Sequence, residues 1–345
     1  MTSTIVNPAS ISDWDAKIQA HSEYCFFHSQ AWARVLTDTY GYRPLYHLTE
    51  HDGTPVSVFP LMEVDTWLTG KRGVGLPFTD HCWPLCSNGE DAAFLFESMK
   101  EFGRGRGWRY LEIKGGQSPI EGAQPALQFY NHVIRLSEDV DVLQSGLSSA
   151  TRRAVRKAAK NGLTVGISRS LEALQIFYNL HCQARKRHGL PPQPYALFES
   201  MQRHVMEKDQ GMVVLARTPE RRAVAGAVFF YLGRRVIFKF GGSNLAYQSM
   251  RGNNLVLWEA MKWFAKKGFE SLDFGKTSLT HEGLRQFKSG FGTEERLIEY
   301  YQYDLMRDPF RSYRDLPVAW VTRAFQLLPL PVLRMVGRAC YRHMA

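Results

Sequence analysis

One segment in the last third of the chain gathers side chains that can bind or stabilise negative charge. It runs from a predicted strand end at Leu272, through a short predicted helix, to a glycine-rich turn that ends at Gly292. Among its charged or ionisable residues, it presents Asp273, Lys276, His281, Arg285 and Lys288. Ligands of α/β folds bind at strand ends. A lysine flanked by aromatic residues would be partly desolvated and could donate to a developing oxyanion. The alternative is a surface lysine whose aromatic neighbours belong to the core.

A second segment, Thr151-Arg-Arg-Ala-Val-Arg-Lys-Ala-Ala-Lys160, carries a stripe of positive charge. Helical periodicity places its cations on one face and its small apolar residues on the other. The cations are Arg152, Arg153, Arg156, Lys157 and Lys160. Neighbouring like charges repel, so a bound anion would offset the cost of this arrangement. Arginine forks suit phosphate, which favours a phosphate-binding helix, with a merely solvated basic face as the alternative.

A repeated pattern indicates which elements position these residues. Glu97-Ser-Met-Lys-Glu-Phe102 precedes Gly107-Trp-Arg-Tyr-Leu-Glu-Ile113, and Glu259-Ala-Met-Lys-Trp-Phe264 precedes Gly268-Phe-Glu-Ser-Leu-Asp-Phe274. The same helix-then-strand module therefore occurs twice, at a separation typical of two copies of a domain. We expect two similar α/β units, with an active site at or near their junction.

The remaining periodicity predicts an α/β (α+β) fold of two tandem domains with mixed, mainly antiparallel sheets. In the first domain we expect a helix from Ser29, strands at 45–49 and 56–64, a loop at 73–80, and the repeated module. In the second we expect helices at 151–160, 170–188 and 195–208, then an antiparallel meander, the repeated module and a final strand. The predicted boundaries are 1–138, 139–308 and a tail at 309–345.

The tail contains arginines but no lysine, interleaved with apolar residues. A basic amphipathic segment of this kind can lie in the headgroup zone of a bilayer. A helical hairpin packed on the second domain explains the pattern equally well.

Composition limits the possible partners and compartment. The 345 residues carry 43 basic and 33 acidic side chains, a net charge of +10, which favours a polyanionic partner. The five cysteines are odd in number, and Cys82 and Cys86 have the wrong spacing for a zinc knuckle, so we expect reduced thiols and no metal. The sequence has no membrane-spanning run and no signal peptide, so we expect a cytoplasmic protein, with peripheral attachment to the inner face of the membrane as an open alternative.

An ordered set of short patterns resembles a known family. The set comprises Arg152 to Leu163, Gly241-Gly-Ser243, the Asn254 to Met261 helix, Asp273-Phe-Gly275 and Gly283-Leu-Arg-Gln-Phe-Lys288. Together these resemble the FemAB-type branch of the GNAT acyltransferases, which includes the peptidoglycan-bridge aminoacyltransferases and relatives linked to exopolysaccharide export. The resemblance spans about residues 25–305 and includes Phe27 to Trp32 and Leu76 to Asp80.

This resemblance implies twin GNAT-like subdomains and transfer of an acyl or aminoacyl group onto an amine. It implies that Lys288, which follows a phenylalanine, stabilises the transfer intermediate. It further implies substrate contacts by Arg34, Asp80 and Arg152, with Arg153 and Arg156 as near neighbours. From the residues of the segment that starts at Leu272, we add Asp273 and Arg285 as candidate substrate-binding residues. We expect direct attack of the amine on an activated carbonyl, because no nucleophilic triad is evident in the sequence.

Two departures from the family leave the donor open. No charged heptad arm for tRNA is present between 170 and 210, and the segment from Ser249 to Asn254 keeps only one glycine of the coenzyme A pyrophosphate loop. We expect no tightly bound cofactor, with aminoacyl-tRNA or acyl-CoA as donor substrate. The expected acceptor is a phosphate-bearing small molecule or a lipid-linked precursor of the cell envelope or a polysaccharide, and tRNA and an anionic membrane surface are further candidate partners.

Two alternative functions stay open. One is an acyl-CoA-dependent N-acyltransferase that modifies exopolysaccharide or lipid. The other is a catalytically inactive GNAT-like binding module.

Overall fold

The chain folds into two compact units. The computed structural model describes residues 2–51, 54–86, 88–115, 123–307, 309–311 and 319–345. The first unit comprises Met1–Tyr130, Leu297–Asp315 and Arg342–Ala345, and the second comprises Asn131–Arg296 and Leu316–Tyr341. These limits differ from the predicted ones because Tyr300–Asp304 pair with Tyr110–Lys114, a strand of the first unit, although the sequence groups them with the second domain.

Over the described residues of the first unit, three α-helices alternate with short strands. In chain order its elements are β1 (Thr4–Val6), α1 (Trp14–Gln19), α2 (Gln30–Tyr40), β2 (Arg43–Pro44), β3 (Tyr46–His51), β4 (Thr54–Phe59), β5 (Met62–Thr66), β6 (Gly70–Val74), α3 (Gly89–Gly105) and β7 (Tyr110–Lys114). Ser29 caps α2, because its Oγ accepts the N–H of Trp32, and Gly41 ends that helix in the left-handed conformation at φ +73°.

Two sets of strands form in this unit. Strands β1, β3 and β4 make a small antiparallel sheet, and β2, β5, β6 and β7 follow one another in a second set. The predicted strand 56–64 is wrong as a single element, because Pro60 and Leu61 separate β4 from β5. The predicted loop at 73–80 is also wrong at its start, since Gly73 and Val74 belong to β6 and pair with β7.

The second unit follows the predicted order closely. Its elements are β8 (Leu127–Arg135, which begins in the first unit), α4 (Val140–Gly146), α5 (Ser149–Lys160), β9 (Thr164–Ser168), α6 (Leu171–Arg187), α7 (Tyr195–Met201), β10 (Gly211–Arg217), β11 (Ala223–Leu232), β12 (Arg235–Ser243), α8 (Gly252–Lys266), β13 (Ser271–Ser278), α9 (Glu282–Ser289) and β14 (Glu294–Asp304, which ends in the first unit). The predicted helix 195–208 continues beyond α7 as a π-helical turn, Gln202–Met206.

The sheet of the second unit is mixed, as expected. The strand order is β8-β13-β12-β11-β10-β9, in which β9 to β12 are antiparallel and β12 pairs with β13 in parallel. The crossover between these parallel strands is α8, which buries Leu255, Trp258, Met261 and Phe264 in the core of the unit. Both copies of the repeated sequence therefore form a helix followed by a strand, α3 with β7 and α8 with β13.

The tail forms two helices of the second unit, α10 (Ala319–Leu327) and α11 (Leu330–Cys340), while residues 312–318 lie outside the described residues. Helix α11 packs closely, since Leu333 is fully buried and a Cβ on Gly337 would lie 2.0 Å from the carbonyl oxygen of Pro192. The packed-hairpin interpretation therefore holds for α11. Its outer side still exposes Met335 to 71%. Among the described ranges, no helix has the length and apolar character needed to cross a membrane.

Candidate active site

A turn inside β13 organises the predicted catalytic segment. Gly275 adopts a φ of +72°, a conformation that glycine adopts without steric cost. Its N–H donates to Asp273 Oδ1 at 2.6 Å, and Asn131 Nδ2 donates to Asp273 Oδ2 at 2.9 Å. Asp273 is 9% exposed, and its two hydrogen bonds fix this turn against β8. Its predicted contact with substrate stays a prediction.

Lys288 reaches back from α9 onto the same turn. Its Nζ donates to the carbonyl oxygens of Gly275 at 2.7 Å and Lys276 at 2.9 Å, and the residue is only 4% exposed. The structure therefore contradicts the surface-lysine alternative. An ammonium held in a site of low polarity acts on nearby charge more strongly than one in water.

A histidine and a carboxylate lie beside this lysine. Arg285 makes a bidentate contact with Glu295, with Nε–Oε1 and Nη2–Oε2 distances of 2.8 and 2.7 Å. The Arg285 hydrogen bonds hold the pKa of Glu295 below its usual value. His132 Nδ1 lies 3.7 Å from Glu295 Oε1, and neither ring nitrogen of this buried histidine has a hydrogen-bond partner among the described residues. Burial and then the Lys288 charge lower the pKa of His132 to about 4, so its imidazole is neutral at pH 7.

Helix α5 is fixed directly against the turn that follows α9. The backbone N–H of Ser148, the N-cap of α5, donates to the carbonyl oxygen of Gly290 at 2.9 Å. A Cβ at Gly290 would lie 2.6 Å from Thr151 Oγ1, so only glycine permits this approach. The basic helix and the Phe287–Lys288 pair are thus neighbours.

A cleft of about 450 Å³ lies between these elements and the start of α8. Its lining includes three cations and several neutral groups, namely Arg153, Lys157, Arg251, Asn254, Gln286 and Phe287. A smaller cavity of about 150 Å³ shares Arg251, Asn254 and Phe287 and adds the first residues of α8. Three cations at the N-terminus of a 15-residue helix make a favourable environment for phosphate groups.

The three predicted arginines of α5 have different surroundings. Arg153 lines the cleft, whereas Arg152 is turned towards the end of α4, where its Nη1 donates to the carbonyl oxygen of Leu147 at 2.7 Å. Arg156 is exposed on the same helix and lies outside the cleft lining. Of the predicted basic stripe, therefore, the cleft uses Arg153 and Lys157.

The other two predicted residues belong to the first unit. Arg34 Nη2 donates to the carbonyl oxygen of Ala9 at 2.8 Å, which ties α2 to the N-terminal segment. Asp80 is half-buried, and its backbone oxygen accepts from the hydroxyl of Tyr300. Their proposed contacts with substrate stay predictions.

Sequence reasoning missed His132 and Glu295, and it considered the segment that contains Arg251 without assigning the Arg251 side chain a role. His132 lies in the middle of a strand, where a single histidine carries no local signal. Arg251 holds a φ of +63° at the start of α8, and a non-glycine residue in that conformation is uncommon. Only the folded chain shows that the Arg251 side chain faces the basic face of α5.

Comparisons with known proteins agree with this geometry. Residues 147–289, which contain α5, α8, β13 and α9, match the sequence family described as an acetyltransferase (GNAT) domain. The matched region lies within the second unit and is similar to a GNAT acetyltransferase domain. This finding confirms the expected transferase class and the expected resemblance.

Three further similarities extend the comparison. The chain is 28% identical over 108 residues to the lipid II:glycine glycyltransferase of Staphylococcus haemolyticus (strain JCSC1435), across 29% of this chain and 26% of that relative. It therefore matches only about a quarter of that relative's length. The crystal structure of FemX has a TM-score of 0.67 at 17% identity, and covers 93% of this chain and 99% of its own.

A tandem GNAT protein from the clavulanic acid biosynthesis pathway has a TM-score of 0.54 at 10% identity, and covers 88% of this chain and 98% of its own. At these identities the structural similarities establish the fold. They confirm the predicted fold class, an α/β fold of the tandem GNAT type.

Proposed function

We propose that this GNAT-type domain transfers an aminoacyl group to an amine of a lipid-linked, phosphate-bearing cell-envelope precursor. The observation that carries the proposal is the cationic cleft that ends at Phe287, one residue from buried Lys288. The similarity to a lipid II:glycine glycyltransferase supports the choice of a lipid-linked acceptor.

The cleft supports phosphate binding through charge and shape. Arg153 and Lys157 lie one helical turn apart on α5 and so present two cations on one side of the cleft. Arg251 adds a third at the start of α8, where free backbone N–H groups also favour an anion. In this proposal the phosphates supply most of the binding energy, and they hold the acceptor amine near the transfer centre.

Lys288 has two roles in the proposed mechanism. Its ammonium fixes the Gly275–Lys276 turn through two hydrogen bonds, and its charge favours the oxyanion that forms when the amine attacks the activated carbonyl. The direct attack forms the new C–N bond and breaks the bond from the carbonyl carbon to the donor's leaving oxygen or sulfur, without a covalent enzyme intermediate. The leaving atom takes up the proton that the amine loses. The neutral His132 nearby adds no competing positive charge.

The acceptor-binding part of the proposal is tested by charge removal in the cleft. Arg153→Ala and Arg251→Ala should each weaken the binding of lipid II, and of inorganic pyrophosphate as a minimal probe, by about tenfold or more, because each charge-assisted hydrogen bond contributes about 1.5–3 kcal/mol. Calorimetry with the full chain measures this. Arg156→Ala is the matched control, since Arg156 lies on the same helix outside the cleft. Equal weakening by all three variants would mean that binding depends on the overall positive charge of the protein and not on this cleft.

The transfer step is tested with Lys288→Met. We expect turnover to fall by about 10²-fold, on the scale of losing one oxyanion donor. Lys266→Met, an exposed lysine at the end of α8, is the control and should keep full activity. Unchanged turnover in Lys288→Met would remove this residue from the mechanism.

The same cleft also supports a second candidate function, acyl-CoA-dependent N-acylation of an exopolysaccharide or lipid. The observation in its favour is that the cleft includes the start of α8, where a pyrophosphate could bind. A transfer assay that offers either aminoacyl-tRNA or acetyl-CoA as donor separates the two functions. Activity with the coenzyme A thioester alone would select the second one, and binding without transfer from either donor would select an inactive binding module.

Peripheral membrane binding is a finer part of the same proposal. On the two tail helices Leu327 is 83% exposed and Met335 71% exposed, and the exposed Arg323 and Arg338 lie on the same two helices. Such a surface would bring the protein to lipid-linked substrate at an anionic headgroup layer. Sedimentation with vesicles containing phosphatidylglycerol tests it, and equal binding of Met335→Glu would contradict it.

A further inference from the structure

Two cysteines and a histidine converge in the interior of the first unit. The donor atoms of Cys25, His28 and Cys82 all lie within 4.8 Å of one another, and the Sγ of Cys25 lies 3.3 Å from Nδ1 of His28. The three residues are 7%, 0% and 1% exposed, respectively. Cys82 is therefore associated with residues far earlier in the chain rather than with Cys86, four positions away.

The imidazole of His28 is oriented so that one nitrogen faces the sulfurs. Nε2 lies 2.9 Å from the carbonyl oxygen of Trp83, which can only accept, so Nε2 carries the proton. Nδ1 then offers its lone pair to the cluster, where it accepts the backbone N–H of Cys25 at 3.1 Å. A backbone carbonyl that holds the second ring nitrogen is the usual support of a metal-binding histidine.

A buried phenol next to the cluster provides an independent observation. Tyr46 is fully buried, and its hydroxyl has no hydrogen-bond partner among the described residues. Its ring packs edge-on against Trp14 at a centroid distance of 5.7 Å, and Trp14 Nε1 donates to the carbonyl oxygen of His28 at 2.8 Å. A buried polar group without a partner calls for an explanation such as an ion or a water molecule.

We propose that Cys25, His28 and Cys82 bind a zinc ion in the first unit, with Tyr46 or a water molecule that it holds in the fourth position. Zinc–sulfur bonds of about 2.3 Å and zinc–nitrogen bonds of about 2.0 Å place neighbouring tetrahedral ligand atoms about 3.6–3.8 Å apart, within the spread of this cluster. Two thiolates and one neutral imidazole balance the charge of Zn²⁺, and the backbone N–H of Cys25 gives up its contact with Nδ1.

The site would serve the architecture of the first unit. Cys25 and His28 form the turn that leads into α2, and Cys82 lies in a loop that forms a bridge to Lys114 of β7. A metal would join these two segments, which are more than 50 residues apart in sequence. The proposal is independent of the transfer chemistry of the second unit, so either can fail alone.

The experiment uses the full chain, reduced and stripped of metal with a chelator, and titrated with Co²⁺ and then Zn²⁺. We expect one Co²⁺ per chain, detected by a thiolate-to-cobalt charge-transfer band that zinc abolishes, with a zinc dissociation constant below about 1 µM. Cys25→Ser and Cys82→Ser should each lose most of this band. Cys86→Ser, in the same loop as Cys82, is the matched control and should keep it.

A measurement on the unmodified chain covers the case in which these variants do not fold. At a urea concentration that partly opens the first unit, zinc should slow the reaction of Cys25 and Cys82 with iodoacetamide, while the exposed Cys340 reacts at the same rate with or without metal. The proposal is overturned if the reduced wild-type chain binds neither ion, or if zinc fails to protect these two thiols. It is equally overturned if Cys25 and Cys82 form a disulfide on purification and bind no cobalt after reduction.

Discussion

Replacement of Lys288 by methionine should destabilise the second unit by an amount that the structure allows us to estimate. The substitution keeps the apolar stem of the side chain and removes the ammonium that binds the carbonyl oxygens of Gly275 and Lys276. Each buried carbonyl left without its donor costs about 1–3 kcal/mol. The variant no longer keeps a charged ammonium away from water, and this gain offsets part of that cost. We therefore expect the free energy of unfolding to fall by about 2 kcal/mol.

Urea unfolding followed by circular dichroism measures this change, with Lys266→Met as the control. The surface substitution should change the free energy of unfolding by less than about 0.5 kcal/mol. A second readout is the pKa of His132, measured by NMR. Because the Lys288 charge helps to lower this pKa, it should rise in the variant, while burial keeps it below the ordinary value.

Two results together would refute this reasoning. If Lys288→Met unfolds like the wild type and the pKa of His132 is unchanged, the ammonium does not bind the turn. If the variant loses stability but the pKa of His132 is unchanged, the ammonium binds the turn and its charge does not influence the histidine.

Three further substitutions test other parts of the fold. Glu63→Gln should lower the free energy of unfolding by about 2 kcal/mol in urea titrations, because it removes the buried carboxylate that makes a bidentate contact with Arg106. An unchanged free energy of unfolding would mean that water replaces the carboxylate. Burial lowers the pKa of His181 to about 4, so between pH 6.5 and 4 the unfolded chain binds a proton that the folded chain does not. The free energy of unfolding should therefore fall by at most about 3 kcal/mol as the pH drops through that range. His181→Gln should show a shallower fall. Gly337→Ala should speed hydrogen exchange in α11, since its Cβ would lie 2.0 Å from the carbonyl oxygen of Pro192, and unchanged exchange would contradict that packing.

The sequence predicted the second unit better than the first, for a physical reason. Its helices have local signals, such as the serine caps of α5 and α6 at Ser148 and Ser170, and long apolar periodicity. The repeated module was visible because its helix and strand are each continuous in sequence. In the first unit the strands are short, and the break at Pro60 divides what periodicity alone presents as one strand.

The candidate site could be predicted only where its residues lie close together in the sequence. Lys288 and Asp273 lie on one continuous segment, so a reading of residue types finds both. His132 and Glu295 reach Lys288 through strand pairing, and Cys25 meets Cys82 across more than 50 residues of chain. Such pairs depend on tertiary structure, which the spacing of single residues does not encode.

The route of the backbone between the two units has a consequence for synthesis on the ribosome. Residues Tyr300–Asp304 pair with β7, yet they leave the exit tunnel only after nearly all of the second unit. Until then β7 keeps one open edge, which is a hazard for wrong pairing with other nascent chains. Completion of the earlier-translated unit therefore waits for the later one, and a pause during translation near residue 296 would extend the time for which that edge is exposed.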